Sequence, residues 1–424
     1  MRCRFATRRL PGDGDPVRAR PTPERGSLVP AFSSRATAVR PVLVPPALQL
    51  PVVERDFARR LHNYWPKLQV KSKLWLQEKR LMAPAAAEAL ADELRYTDLV
   101  AGYYLGATDA MLGAIADFSS WFFAWDDRHD RDVAHARTAS WRALCADLHA
   151  ALRDPGAHLH HEEPLVAAFA DCLLRMGQPM PPSWRRRFAR HMGPVIDAYD
   201  QEFGNRLSRT VPTVAEYLEL RRLTFAHDIW LDLLEAVAGA ELPASVREST
   251  AYRTAGLACQ DFAAWYNDLC SLPKEIAGDE LHNLGISLIR HEGMELAEAV
   301  SVVHQKVAGR VTAFLEAEKE LRALADSLAD GENGGEGEGD GDVIDRERTR
   351  AVLISCTDNM RNWFPSVYWF HHESGRYRVE QWEDPACPPY LQDNAPARTT
   401  PAVRPTETPR VGRQRGPHEQ EGTV

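Results

Sequence analysis

Two groups of residues in this sequence have types and spacings suited to chemistry. The first is Asp126, Asp127 and Asp130, which close the stretch WFFAWDDRHD at 121–130. On a helix, Asp126 and Asp130 lie four residues apart and share a face, while Asp127 is turned by about 100°. Two carboxylates at that spacing repel each other unless a cation sits between them. Hard oxygen ligands suit Mg²⁺, which one or two carboxylates can bridge to a substrate phosphate. The same acids can also be read as a solvated turn, because Arg128, His129, Arg131 and Asp132 complete a charge run. What sets the stretch apart is its lead-in, Trp121, Phe122, Phe123 and Trp125. Aromatic faces suit a cation or an apolar core, and clustered carboxylates suit a metal or water. A site that needs both makes a carbocation beside a metal-bound leaving group. On that reading the whole WFFAW segment lines the cation's side.

The second group lies in FAAWYNDLCSLPKE at 262–275, where Asn267, Ser271 and Glu275 fall at i, i+4 and i+8 on one helical stripe. An amide oxygen, a hydroxyl and a carboxylate make a singly charged cage for another Mg²⁺ that keeps waters and phosphate oxygens. Lys274 adds a point charge for the same phosphate. Pro273 frees the carbonyl of Leu269, so this helix bends there or ends soon afterwards. The alternative is a polar surface stripe, against which the FAAWY flank argues, because Trp and Tyr favour burial. Two further pieces are Arg221–Arg222, inside an otherwise apolar stretch, and Arg376–Tyr377 near the end of the patterned region. An arginine fork and a phenol are good donors to phosphate oxygens. Either arginine of the first pair can instead make a surface ion pair with Glu219 or Asp228.

The elements that carry these groups are helical. YLELRRLTFAHDIWLDLLEAVAG (217–239) and the segment 297–330 repeat apolar residues at steps of three and four. Val/Ile/Thr alternation between turn signals is absent. The expectation is an all-α fold, a single domain over 41–384 built as a bundle of ten or so helices. The 424 residues carry a net charge of −9, which gives no support to a nucleic-acid partner. No apolar run approaches the ~18 residues of a membrane span. Seven scattered cysteines without a CxxC pair fit a reduced, cytoplasmic protein better than a disulfide framework or zinc site. His158, His160 and His161 read as a polar interhelical loop, and no role is assigned to His371. Residues 1–40, with nine arginines against three acids, read as a disordered basic extension, a transit peptide or an over-extended start. Residues 385–424 read as a disordered tail, and GENGGEGEGDGD at 331–342 as a solvated loop.

Taken together and in this order, DDRHD (126–130), Arg221, NDLCSLPKE (267–275) and Arg376–Tyr377 resemble the motifs of bacterial class I terpene synthases. The resemblance covers most of 50–385 and leaves out the basic extension, the tail and the inserted Gly/Glu loop. It implies the class I terpenoid synthase helical bundle and a sesquiterpene cyclase acting on farnesyl diphosphate with three Mg²⁺ ions. Asp126 would bind two ions, with Asp130 as a nearby or outer partner, and Asn267, Ser271 and Glu275 the third. Arg221, Lys274, Arg376 and Tyr377 would donate to the diphosphate, and a helix break at Thr224–Phe225–Ala226 would bring backbone groups to the site. Phe122, Phe123, Phe225, Trp230, Trp363 and Phe370 are the contour candidates, each of which also reads as plain helix core. The product expected is a tricyclic hydrocarbon, with no obligate protein partner. Competing readings are a cyclase with another product or a geranyl or geranylgeranyl substrate, a chain-elongating prenyltransferase, and a non-catalytic helical scaffold. The prenyltransferase would carry a second aspartate-rich motif where this chain has the Asn/Ser/Glu form.

Overall fold

The computed structural model describes residues 49–84, 93–330 and 340–377, and side chains are described up to Ala329 and again from Asp345. The expected extension at 1–40 and tail at 385–424 lie outside the described residues, as do 331–339 of the expected loop. The last three positions of that loop are helical: a helix begins at Asp340, so the loop reading ran too far.

The described residues form helices joined by turns and short connections, without a strand. In chain order the α-helices are α1 (Pro51–Asp56), α2 (Trp65–Glu78), α3 (Tyr96–Tyr103), α4 (Asp109–Ala134), α5 (Thr138–Arg153), α6 (Pro164–Gly177) and α7 (Pro182–Ser208). They continue with α8 (Val214–Thr224), α9 (His227–Ala238), α10 (Ala244–Arg247), α11 (Thr250–Ala277), α12 (Leu284–Glu292), α13 (Leu296–Asp330) and α14 (Asp340–Glu373). One 3₁₀ turn, Gly156–His158, lies between α5 and α6, and another, Gly375–Tyr377, follows α14. None of the described helices is long and apolar enough to cross a membrane.

Local chemistry sets the boundaries that matter for the site. Thr108 caps α4, its hydroxyl accepting from the Met111 amide at 3.2 Å, and Ser249 caps α11 through the Tyr252 amide at 3.2 Å. A capping box of Thr213 and Glu216 starts α8. The periodic stretch 217–239 is two helices rather than one. Ala226 takes a left-handed φ of 55° between α8 and α9, which interrupts the helical ladder where the family resemblance placed a break. Pro273 sits inside α11, which ends four residues later.

α11 lies at the centre, packed along α13 and α14, while α4 packs against α2, α3 and α6, and α7 against α5 and α8. The core between α4 and its neighbours is aromatic. Phe118, Trp121, Trp125, Trp141 and Phe203 form a continuous series of stacked rings, all fully buried. Each such ring takes about 150–250 Å² out of water, which anchors the helix that carries the aspartates.

Candidate active site

α4 and α11 present two facing walls of a cavity of about 470 Å³, within the ~300–1,000 Å³ usual for small-molecule sites. α8, α9, α14 and the 3₁₀ turn that follows α14 complete its lining. The metal, diphosphate and contour candidates that the family resemblance implied all lie on this lining, whereas Asp127 and Arg222 do not. The lining includes the polar residues Asp126, Asp130, Arg221, Asn267, Ser271, Lys274, Glu275, Arg376 and Tyr377 and the rings of Phe122, Phe123, Phe225, Trp230, Trp363 and Phe370. Helical geometry sets the order on α4, where Phe122 and Phe123 sit about one turn before Asp126 and two turns before Asp130 on the same face.

The expectation that all of WFFAW lines the cavity is corrected. Trp121 points into the core, where its indole donates to the Leu165 carbonyl at 2.8 Å. Trp125 is fully buried and stacks on Tyr199 at 4.2 Å. With 3.6 residues per turn, a continuous aromatic run cannot face one side. Phe122 and Phe123 alone of the four reach the cavity. Phe123 stacks flat on Tyr96, with centroids 3.6 Å apart and an interplanar angle of 8°.

The polar residues are held by arginines. Arg376 donates to Asp126 Oδ2 at 3.1 Å and lies 3.5 Å from Asp127 Oδ1. Its other end donates to the Tyr96 hydroxyl at 2.7 Å. Tyr199 donates to Asp126 Oδ1 at 3.4 Å. Asp130 accepts from Arg206 at 2.6 Å. Arg221 donates to Asn267 Oδ1 at 2.7 Å and pairs with Asp268 at 3.0 Å. Arg222 turns the other way, forming a two-pronged pair with the buried Asp261. Neither arginine takes Glu219 or Asp228.

The second wall is oriented by groups outside its motif. His371 donates from Nδ1 to the Val367 carbonyl at 2.7 Å, which makes Nε2 an acceptor for the Asn267 amide nitrogen at 3.2 Å. The same nitrogen donates to the Tyr377 hydroxyl at 2.9 Å. With its NH₂ doubly engaged, Asn267 turns its oxygen toward Arg221. Asn283 caps α12 through the Gly285 amide and donates to both Glu275 (2.6 Å) and the Asp268 carbonyl (2.7 Å). Ser271 is buried, and its hydroxyl lacks a hydrogen bond of good geometry.

Burial governs the titration of these groups. It raises Glu275 to about 7, with the neighbouring Asp268 pushing the same way. Burial also raises Asp127 to about 7, against the pull of Arg376. Asp126 is raised by burial and then by Asp130. Burial opposes charge on Asp130, but Arg206, His129 and Lys274 together outweigh it and keep that carboxyl well below its usual range. His371 is pushed down to about 3 by burial and stays neutral, consistent with its acceptor role.

These donors fit a divalent oxygen-seeking cation. No three His, Cys, Asp or Glu side chains among the described residues converge as a ready-made cage. Each wall instead offers one or two carboxylates with neutral oxygens, the set Mg²⁺ uses when phosphate supplies the rest. Raised carboxylate pKa values and a buried hydroxyl without a good partner mark groups that a cation would satisfy.

The sequence reading missed Tyr96, Tyr199, Arg206, Asp268, Glu280 and Asn283, which act on the motif residues from other helices or from beside them. Asn283 alone carried a local signal, an Asn two residues before Gly285 at a helix start.

The profile of terpene synthase family 2, C-terminal metal binding, matches 117–313. The chain is similar to epi-isozizaene synthase of Streptomyces coelicolor, with 56% identity over 86% of this chain and 98% of that enzyme. It is 29% identical to pentalenene synthase of Streptomyces avermitilis over 79% of this chain and 91% of that enzyme. Among solved structures, linalool/nerolidol synthase from Streptomyces clavuligerus in complex with 2-fluorogeranyl diphosphate matches with a TM-score of 0.61 and 25% identity. The match covers 75% of this chain and 98% of that one.

Proposed function

This chain belongs to the bacterial class I terpene synthases, and from that premise we propose that it cyclises farnesyl diphosphate to epi-isozizaene or a closely related tricyclic sesquiterpene, releasing diphosphate. The enzyme is a terpene synthase, a lyase that acts on a prenyl diphosphate and uses a divalent metal. The observation that carries the finer reading is the mixed lining of one cavity: oxygen donors and arginines together with the rings of Phe122, Phe123, Trp230 and Trp363.

Breaking the allylic C–O bond separates an anion from a cation. Mg²⁺, when bound, neutralises charge that develops on the departing diphosphate. Asp126 on one wall and Asn267, Ser271 and Glu275 on the other are the residues that would hold it, as three ions by the family pattern. Asp130 stands beside them, held by Arg206. Arg221, Lys274, Arg376 and Tyr377 bind and orient the diphosphate, with hydrogen bonds that strengthen as charge accumulates. The aromatic contour serves the other product of ionisation. It excludes water, which would quench the cation to an alcohol, and aromatic faces stabilise a desolvated cation by about 2 kcal/mol each. The final proton needs only a weak base, for which the diphosphate suffices. Buried cysteines without disulfides at 145, 172, 259, 270 and 356 support a cytoplasmic location.

The test is gas chromatography–mass spectrometry of the hydrocarbon extract after incubation with farnesyl diphosphate and Mg²⁺. The expected result is one dominant tricyclic hydrocarbon. A different sesquiterpene would overturn the product, and elongated diphosphates formed with isopentenyl diphosphate would overturn the cyclase reading.

A further inference from the structure

We infer that Arg206, near the C-terminal end of α7, is a positioning residue that ties the two metal-facing walls together and commits Asp130 to an ion pair rather than to metal. The inference rests on the proposed reading of those walls as Mg²⁺ sites. No motif contains Arg206, yet its side chain is only 9% exposed. One guanidinium nitrogen donates to Asp130 Oδ1 at 2.6 Å and lies 3.1 Å from His129 Nδ1. The other donates to Glu280. Asp130 stands on α4, one turn after Asp126. Glu280 stands five residues after Glu275, in the connection from α11 to α12, where Asn283 holds Glu275.

One planar fork therefore spans from the end of the first wall to the end of the second. Only an arginine has two donor edges in fixed geometry to do this; a lysine offers a point charge that can favour one acid at a time. The pairing has an electrostatic consequence as well. Without it, Asp126 and Asp130 would present two charges at i and i+4 that repel in the absence of metal. Removing Arg206 leaves Asp130 and Glu280 without this shared counter-ion and the walls without their common strut.

The experiment compares Arg206→Met, Arg206→Lys and the unsubstituted enzyme in two readouts. One is the Mg²⁺ concentration giving half-maximal turnover of farnesyl diphosphate. The other needs no turnover: the Mg²⁺ midpoint for thermal stabilisation in the presence of inorganic diphosphate. For Arg206→Met both midpoints should rise about 10-fold or more, as for loss of an outer partner of a metal site. The residual hydrocarbon should keep its product ratios, because the aromatic contour is untouched. Arg206→Lys should fall between. A lowered Tm without metal and unchanged Mg²⁺ midpoints would overturn the inference and leave Arg206 a structural residue. Should Arg206→Met fail to fold, Glu280→Gln weakens the second wall's end while keeping the Asp130 pair. It should shift both midpoints in the same direction by less, and no shift would overturn the inference. An unsubstituted enzyme that neither turns over nor gains stability with Mg²⁺ and diphosphate would take down the underlying reading and the inference with it.

Discussion

Phe123→Leu tests the proposed chemistry most directly, because it removes a π face and leaves an apolar wall. Phe123 lines the cavity on the same helical face as the aspartates. Its ring is held flat against Tyr96 at 3.6 Å, and Arg376 lies 5.5 Å from its centroid. It is thus a rigid aromatic surface beside the point where charge separates. If its face stabilises a cation on the cyclisation route, the loss is about 2 kcal/mol for a desolvated cation. At about 1.4 kcal/mol per factor of ten, the branch between further closure and early deprotonation should shift by about 30-fold. Tricyclic hydrocarbon should give way to acyclic and monocyclic products. Ionisation depends on the polar residues, so diphosphate release should change much less than the product ratios. The assay pairs gas chromatography–mass spectrometry of the extract with a diphosphate-release rate. Phe123→Ala, which also opens volume, should broaden the mixture further. Unchanged product ratios in Phe123→Leu would refute the idea that this ring steers the cation, whatever happens to the rate.

Other expectations are shorter to state. Asn283→Ala removes the donor that orients Glu275 and should weaken Mg²⁺-dependent activity about 10–100-fold, read as a raised Mg²⁺ requirement with unchanged product ratios. Glu275 and Asp127, both raised to about 7, hold protons in the folded state that the unfolded chain releases at ordinary carboxylate values. Their contribution to metal-free stability is therefore lost as pH rises toward 7. Metal needs the ionised form, so the Tm gain from Mg²⁺ with inorganic diphosphate should be larger at pH 8 than at pH 6, and equal gains would contradict this. Arg222→Ala should lower Tm and spare the product profile, because Arg222 faces Asp261 and not the cavity. The cost should lie between ~1 kcal/mol for an exposed pair and ~3–5 for a buried one, since Arg310 still pairs with Asp261 at 2.7 Å.

What the sequence by itself determined is the part of this protein written in short-range spacing. Apolar steps of three and four specified helices, and Thr108, Ser249 and Asn283 sit where backbone amides at helix starts need acceptors. Asp126 and Asp130, and likewise Asn267, Ser271 and Glu275, share helical faces through the 3.6-residue turn, so each wall was legible before the walls met. Family motifs in order then supplied the helix break at Ala226 and the pairing of the walls with Arg221 and Arg376; periodicity alone had run 217–239 together as one helix. Only the tertiary structure decided which way each side chain of the aromatic run turned, sending Trp121 and Trp125 to the core and Phe122 and Phe123 to the cavity. It also decided which distant groups hold the motif residues. Arg206 reaches Asp130 across 76 residues of chain, His371 reaches Asn267 across 104, and Tyr96 reaches Arg376 across 280. A local pattern carries no trace of such partners. A buried charge or amide must be satisfied by whatever the packing of other helices brings within hydrogen-bonding distance, and that is a property of the assembled bundle.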